Sequence, residues 1–179
     1  MSNFRIESCG EIDGLYCIWP QVFGDQRGCF FEVYQYEKFK EAGLDMIFVQ
    51  DNQSISTRGV LRGLHYQKKH PQGKLVRVQK GRVFDVAVDL RNDSRTYGKW
   101  YGTILDDVQK NMLYIPEGFA HGFLVLSETA EFSYKCTDYY HPEDEAGFMW
   151  NDEKIGIKWP IEEGMELIIS DKDKNYNSF

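Results

Sequence analysis

Between Val76 and Leu90 the chain changes side-chain character at every second residue, and that period admits few folds. Val76 and Val78 alternate with Arg77 and Gln79, and after Lys80-Gly81 the residues Phe84, Val86, Val88 and Leu90 alternate with Asp85, Ala87 and Asp89. Period two sends successive side chains to opposite faces of a strand, whereas a helix repeats every 3.6. The spacing predicts a hairpin turning at Lys80-Gly81, with one apolar face on a core, as in an antiparallel sheet. Further short strands are expected at residues 15–23, 29–34, 47–56, 60–67, 100–105, 112–115, 122–126 and 131–140, punctuated by Gly, Pro, Asn and Asp. The clearest helical segment is short, residues 37–42, with Gly43 placed to cap its end. Many short strands at this spacing mean an all-β sandwich or barrel, and periodicity does not choose between them.

The 179 residues show no repeat, low-complexity tract or Pro/Ser-rich linker, so one domain, 1–179, is expected. The formal charge of -7 repels phosphate backbones and argues against nucleic acid, although a few arginines in one pocket can still hold a small anion. Cys9, Cys17, Cys29 and Cys136 form no Cys-x-x-Cys pair, so free thiols are expected in place of a thiolate zinc site. No apolar run approaches the ~20 residues of a membrane span, and charge appears within the first residues, so a cytoplasmic location is expected.

Four segments carry residues suited to chemistry. In Gly59-Val-Leu-Arg-Gly-Leu-His-Tyr-Gln67, strict alternation would face Arg62 and His65 to opposite sides, but Gly63 permits a bulge that brings both into one pocket. An imidazole suits proton transfer, since its ordinary pKa of ~6.5 lies near working pH. Ile115-Pro-Glu-Gly-Phe-Ala-His-Gly122 is similar to the second half of the cupin signature. Metal-binding cupins carry His-x-His and a glutamate in the first half, whereas this chain reads His65-Tyr66-Gln67, so no metal is expected. In Glu131-Phe-Ser-Tyr-Lys-Cys-Thr-Asp-Tyr-Tyr140, the residues Phe132, Tyr134, Cys136 and Tyr140 share one strand face. Such tyrosines usually pack, but one aimed into a polar pocket can donate a proton. In Ile169-Ser-Asp-Lys-Asp173, Asp171 and Asp173 fall on one strand face, and either could accept from a histidine ring and fix its tautomer.

In order along the chain, eight blocks resemble the dTDP-4-dehydrorhamnose 3,5-epimerase family. They are Phe23-Gly-Asp-Gln-Arg-Gly28, Val49-Gln-Asp-Asn52, residues 62–67, Gln72-Gly-Lys-Leu-Val-Arg77, and residues 83–91, 115–123, 130–140 and 150–152. The resemblance implies a cupin-like jelly-roll barrel with short flanking helices, a homodimer, and no metal or organic cofactor. It implies a nucleotide-sugar substrate, dTDP-4-dehydro-6-deoxy-D-glucose, converted to dTDP-4-dehydro-L-rhamnose. Both inverted carbons flank the C4 ketone, so loss of either proton gives an enolate and no hydride acceptor is needed.

By the same resemblance His65 is the base, Asp173 its orienting carboxylate, Tyr134 the acid, and Lys74 the cation at the ketone oxygen. Arg27 and Arg62 are implied to hold the diphosphate. Glu32, Gln50 and Asn52 are implied to contact the nucleotide, Tyr140 and Glu145 to line the cleft, His121 to stand near the sugar, and Lys172 to belong to the closing tail motif. The family's Ala/Pro-rich stretch after the aspartate is replaced by Lys-Asn-Tyr-Asn-Ser-Phe179, which keeps Asp171 open as the alternative partner of His65. His70 lies in a variable loop and is given no role. The competing readings are an epimerase that inverts one carbon of a related 4-keto-deoxysugar, a metal-dependent cupin enzyme, and a non-catalytic sugar-binding barrel.

Overall fold

The computed structural model describes residues 3–179. Strands β1 (Phe4–Ser8) and β2 (Tyr16–Pro20) form an opening hairpin, and β3 (Val22–Asp25) and β4 (Gly28–Phe31) a separate two-stranded ribbon. Helix α1 (Tyr36–Glu41) leads into β5 (Gln50–Thr57), β6 (Leu61–Gln67), β7 (Lys74–Lys80) and β8 (Arg82–Asp89). Then come β9 (Trp100–Asp106), β10 (Met112–Ile115), β11 (Phe119–Val125), β12 (Thr129–Cys136), β13 (Glu145–Gly147) and the one-turn helix α2 (Asp171–Lys174). One sheet has the order β1-β2-β10-β7-β12-β5 and the other β13-β6-β11-β8-β9. They close face to face into a cupin-like jelly-roll barrel with short flanking helices. Among the described residues no helix is long and apolar enough to cross a membrane.

The structure corrects the expected hairpin at Lys80-Gly81. β7 and β8 belong to different sheets, so Gly81 is a corner between them and not a turn within one. Its φ is +86°, and a Cβ there would lie 2.1 Å from the Thr129 carbonyl oxygen, so glycine is required both by the backbone and by the close approach. The corner also reverses the expected faces of β8. Val83 and Ala87 pack into the barrel interior with Val76, Val78, Leu113, Phe123 and Phe132. Val86 and Val88, with Phe84, pack on the outside of the sheet under Phe148, Ile155 and Trp159. Both faces are therefore buried, and Asp85, read as part of a polar face, has none of its surface exposed.

The cover on that outer face comes from residues 148–179, which have little regular structure. Leu167 and Ile169 close over Leu61 and Leu124, and Ile168 forms a single parallel bridge with Val60. Residues 169–173 were expected as a strand. Instead the Ser170 hydroxyl accepts from Asp173 N–H at 3.1 Å and starts α2. Helical rotation then separates the two aspartates. Asp173 turns inward and is 2% exposed, whereas Asp171 projects into solvent. The helix expected over 37–42 forms one residue earlier, at Tyr36–Glu41, with Phe39 buried against Phe4 and Tyr34. The strand expected to reach residue 140 stops at Cys136, which puts Tyr140 on a loop.

Candidate active site

The site begins at an irregularity where β6 pairs with β11. His121 is opposite His65 and Phe123 is opposite Arg62, so β6 carries one residue more than its partner. Gly63 takes φ +117°, and a Cβ on it would fall 2.6 Å from Gly122 Cα. The extra residue brings Arg62 and His65 onto one cavity, as the glycine suggested.

That cavity has two chambers sharing His65, Lys74 and Tyr134 on their walls. The inner one, about 160 Å³, adds Ser54, Arg62, His121, Phe123 and Phe132. The outer one, about 280 Å³, adds Gln50, Asn52, Tyr140, Glu145 and Lys172, together with Tyr66, Gln67 and Gln72.

Asp173 stands behind His65, its Oδ1 2.7 Å from the imidazole Nε2, while its Oδ2 accepts from Gly63 N–H at 3.2 Å. Burial works against the charge, yet these bonds hold the Asp173 carboxyl below the ordinary carboxylate range. The ion is thus committed to orienting one ring nitrogen. Burial pushes the Tyr134 hydroxyl up, so it remains a proton donor at neutral pH. Burial also pushes the Lys74 ammonium down from the usual lysine range, against the nearby acidic groups Cys136, Asp85 and Glu145. Arg62 donates to the Ser56 hydroxyl at 3.1 Å and 3.3 Å, which leaves part of its fork for a ligand.

At the outer rim Tyr140 and Lys172 both donate to Glu145. The bond to Glu145, aided by burial, raises the Tyr140 hydroxyl to about 12. Burial opposes ionisation of Glu145, but the bonds from Lys172 and Tyr140 bring its carboxyl down overall. Gln50 accepts from Tyr140 N–H at 2.9 Å and donates to Asn52 at 3.1 Å, joining the nucleotide-contact candidates in one chain of bonds. Lys74, Arg62 and Lys172 give this cavity more cations than acids, in a chain whose net charge is -7.

The geometry also contains features the sequence did not announce. His121 Nε2 lies 2.9 Å from Asp85 Oδ2, so the inner chamber has a second His–Asp pair, in register with the first. Nothing in the alternation of β8 distinguished Asp85 from its neighbours. Gln67 donates to the carbonyls of His70 and Tyr139 and accepts from His141 N–H, bracing the loop that bears Tyr140. Arg27 and Glu32 are not brought to the cavity within the single chain. Arg27 sits on the β3–β4 ribbon, 85% exposed and paired with Asp25, and Glu32 pairs with Lys38 at 2.7 Å.

A family model described as dTDP-4-dehydrorhamnose 3,5-epimerase matches residues 10–179. The chain belongs to the dTDP-4-dehydrorhamnose 3,5-epimerase family. The family's enzyme from Methanothermobacter thermautotrophicus is 53% identical over 176 residues, covering 98% of this chain and 95% of that protein. A solved 3,5-epimerase from Legionella pneumophila, in complex with dTDP-4-keto-L-rhamnose, superposes with a TM-score of 0.93 at 49% identity, over 98% of this chain and 92% of that one. A 3'-monoepimerase from Streptomyces bikiniensis, in complex with dTDP-quinovose, gives a TM-score of 0.87 at 33% identity, over 94% of this chain and 85% of that one.

Proposed function

We propose that the protein is a dTDP-4-dehydrorhamnose 3,5-epimerase that converts dTDP-4-dehydro-6-deoxy-D-glucose to dTDP-4-dehydro-L-rhamnose by proton transfer alone. The observation that supports this most is the grouping of an Asp173-oriented imidazole, a protonated Tyr134 and the Lys74 ammonium around one chamber. His65 removes the proton from a carbon beside the C4 ketone, and the C–H electron pair moves into the carbonyl to form an enolate. Lys74 offsets the negative charge developing on that oxygen. Tyr134 then returns a proton to the opposite face, which inverts the carbon. Asp173 supports the imidazolium formed in between. Before the second carbon is inverted, His65 gives up its proton and the Tyr134 phenolate recovers one. The reaction is redox-neutral, so the reading includes neither an organic cofactor nor a metal.

Arg62 is assigned to the diphosphate and His121 to the sugar. Gln50, Asn52, Tyr140, Glu145 and Lys172 are assigned to the outer chamber, where the nucleotide would lie. Arg27 and Glu32 have no place at the cavity of their own chain, and we assign them to the cavity of a second copy in a homodimer. The four cysteines are free thiols, which fits the cytoplasmic location we assign.

The alternative reading, inversion at one carbon, draws on the likeness to the monoepimerase. Proton NMR of the substrate with EDTA-treated protein in heavy water tests both. Deuterium at C3 and at C5 is the expected result. Exchange at one carbon establishes the alternative, and no exchange overturns the catalytic reading.

A further inference from the structure

A slot beside His65 is made by a glycine. Gly147 on β13 stands in register with His65 on β6, and a Cβ at Gly147 would fall 2.6 Å from the Tyr176 ring. Tyr176 fills that slot, with its ring at an edge-on angle of 63° to the imidazole and centroids 5.9 Å apart. Its hydroxyl lies 3.3 Å from Glu145 Oε1 and donates to it. Burial and the neighbouring Glu145 and Asp173 charges push that hydroxyl up, so it keeps its proton. Glu145 is the acceptor of the bonds from Tyr140 and Lys172. Tyr176 itself lines neither chamber.

The segment carrying Tyr176 is secured on both sides. Asp173 precedes it. Beyond it, Met149 N–H donates to Asn177 O at 3.1 Å and Phe179 N–H to Asp152 at 2.8 Å. The Phe179 ring packs on Phe148, centroids 5.2 Å apart. Ordering each of these residues costs conformational entropy, so a ring held this firmly against the imidazole restricts its movement.

We propose that Tyr176 is a positioning residue of the epimerase, with its two ends acting separately. The ring holds the His65 imidazole in line between Asp173 and the inner chamber. The hydroxyl holds Glu145 in place at the outer chamber. This rests on the reading of His65 as the base, and the test is arranged to separate the two ideas.

Steady-state kinetics, pH profiles and heavy-water exchange are compared for the full-length wild type, Tyr176→Phe, Tyr176→Ala and His65→Ala. Misplacing a reacting group by about 1 Å can cost on the order of 100-fold. Tyr176→Ala, which removes ring and hydroxyl together, is expected to lose roughly 10- to 100-fold in kcat, to raise KM as Tyr176→Phe does, and to move the acid limb of its kcat/KM profile. Tyr176→Phe keeps the ring, so its kcat and acid limb are expected to stay as in wild type while KM rises. If Tyr176→Ala does not fold, Tyr176→Leu takes its place with the same expectations. An inactive His65→Ala beside a Tyr176→Ala of normal kcat and pH profile overturns the positioning role. So does a Tyr176→Phe that loses as much kcat as Tyr176→Ala. Exchange that survives in His65→Ala overturns the reading of the base instead.

Discussion

At the scale of single residues, the proposed chemistry divides between groups that touch substrate and groups that act through another. His65→Ala should abolish exchange at both carbons, seen as no deuterium incorporation by NMR. The Asp173 carboxylate holds the His65 ring and Gly63 N–H and lines neither chamber. Asp173→Asn should therefore lower kcat by roughly 100-fold or more while leaving KM near wild type, by analogy with tautomer loss in an Asp-oriented histidine. Asp171→Asn, on an exposed side chain, should change neither. Tyr134→Phe should lose kcat on the order of 10²–10⁴-fold with substrate binding kept. In the proposed mechanism Lys74 sets the alkaline side. Its pKa is lowered by burial, so its charge is lost at a lower pH than that of an ordinary lysine at ~10.4. Activity should fall on that limb earlier than a free lysine would allow. A Lys74→Arg variant with residual turnover should show no such fall, and an unchanged limb would remove Lys74 from the mechanism.

At the scale of elements, the two most informative positions lie at the ends of β8. Gly81 turns the chain from one sheet to the other at φ +86° with the Thr129 carbonyl where a Cβ would go. Gly81→Ala should destabilise by at least about 1–3 kcal/mol, measured by denaturant unfolding. At the other end, buried Asp89 accepts from Arg91, Ser94 and Thr96 side chains at 2.6–2.9 Å. Burial opposes its charge, but those bonds hold its carboxyl well below the usual range. A depressed native pKa means this contribution is complete above the unfolded value of ~3.9 and fades as pH falls through the native one. Asp89→Asn should thus cost about 3 kcal/mol at neutral pH, and the gap in Tm from wild type should narrow below pH ~4. The same strand shows what the sequence could and could not convey. Its period of two identified a strand correctly, because alternation is a local property. Whether its apolar face looked inward was not local. It depended on residues 148–179 covering the outside of the sheet, more than fifty positions away. The site divides in the same manner. Gly63 signalled the bulge that unites Arg62 with His65, and the order of motifs marked Lys74, Tyr134 and Asp173. Asp85 and Tyr176 were invisible, since each stands beside a histidine that only the fold brings to it. The Ser170 cap that selects Asp173 over Asp171 was legible in principle, but a strand reading of that segment concealed it.

At the scale of the whole molecule, the β3–β4 ribbon is unlike the rest of the surface. It carries Val22, Phe23 and Phe30 exposed, Phe30 at 71%, beside Arg27, and it pairs with neither large sheet. Exposed apolar side chains clustered on one projection mark an interaction surface, and a second copy satisfies it under the dimer reading. Phe30→Asp should then shift the protein to a monomer by sedimentation velocity. The stronger test concerns catalysis. If Arg27 serves the partner's cavity, Arg27→Ala and His65→Ala subunits are each deficient alone but complementary when mixed. In the mixed dimer, the Arg27→Ala subunit supplies an intact His65 and receives Arg27 from its partner, so one complete site forms. If Arg27 serves its own chain, neither subunit of the mixed dimer has a complete site. Subunit exchange followed by heavy-water NMR should therefore recover epimerisation well above either parent. Mixed dimers no more active than the parents would show that Arg27 does not act across the interface, and would leave the ribbon's apolar side chains with a purely structural role.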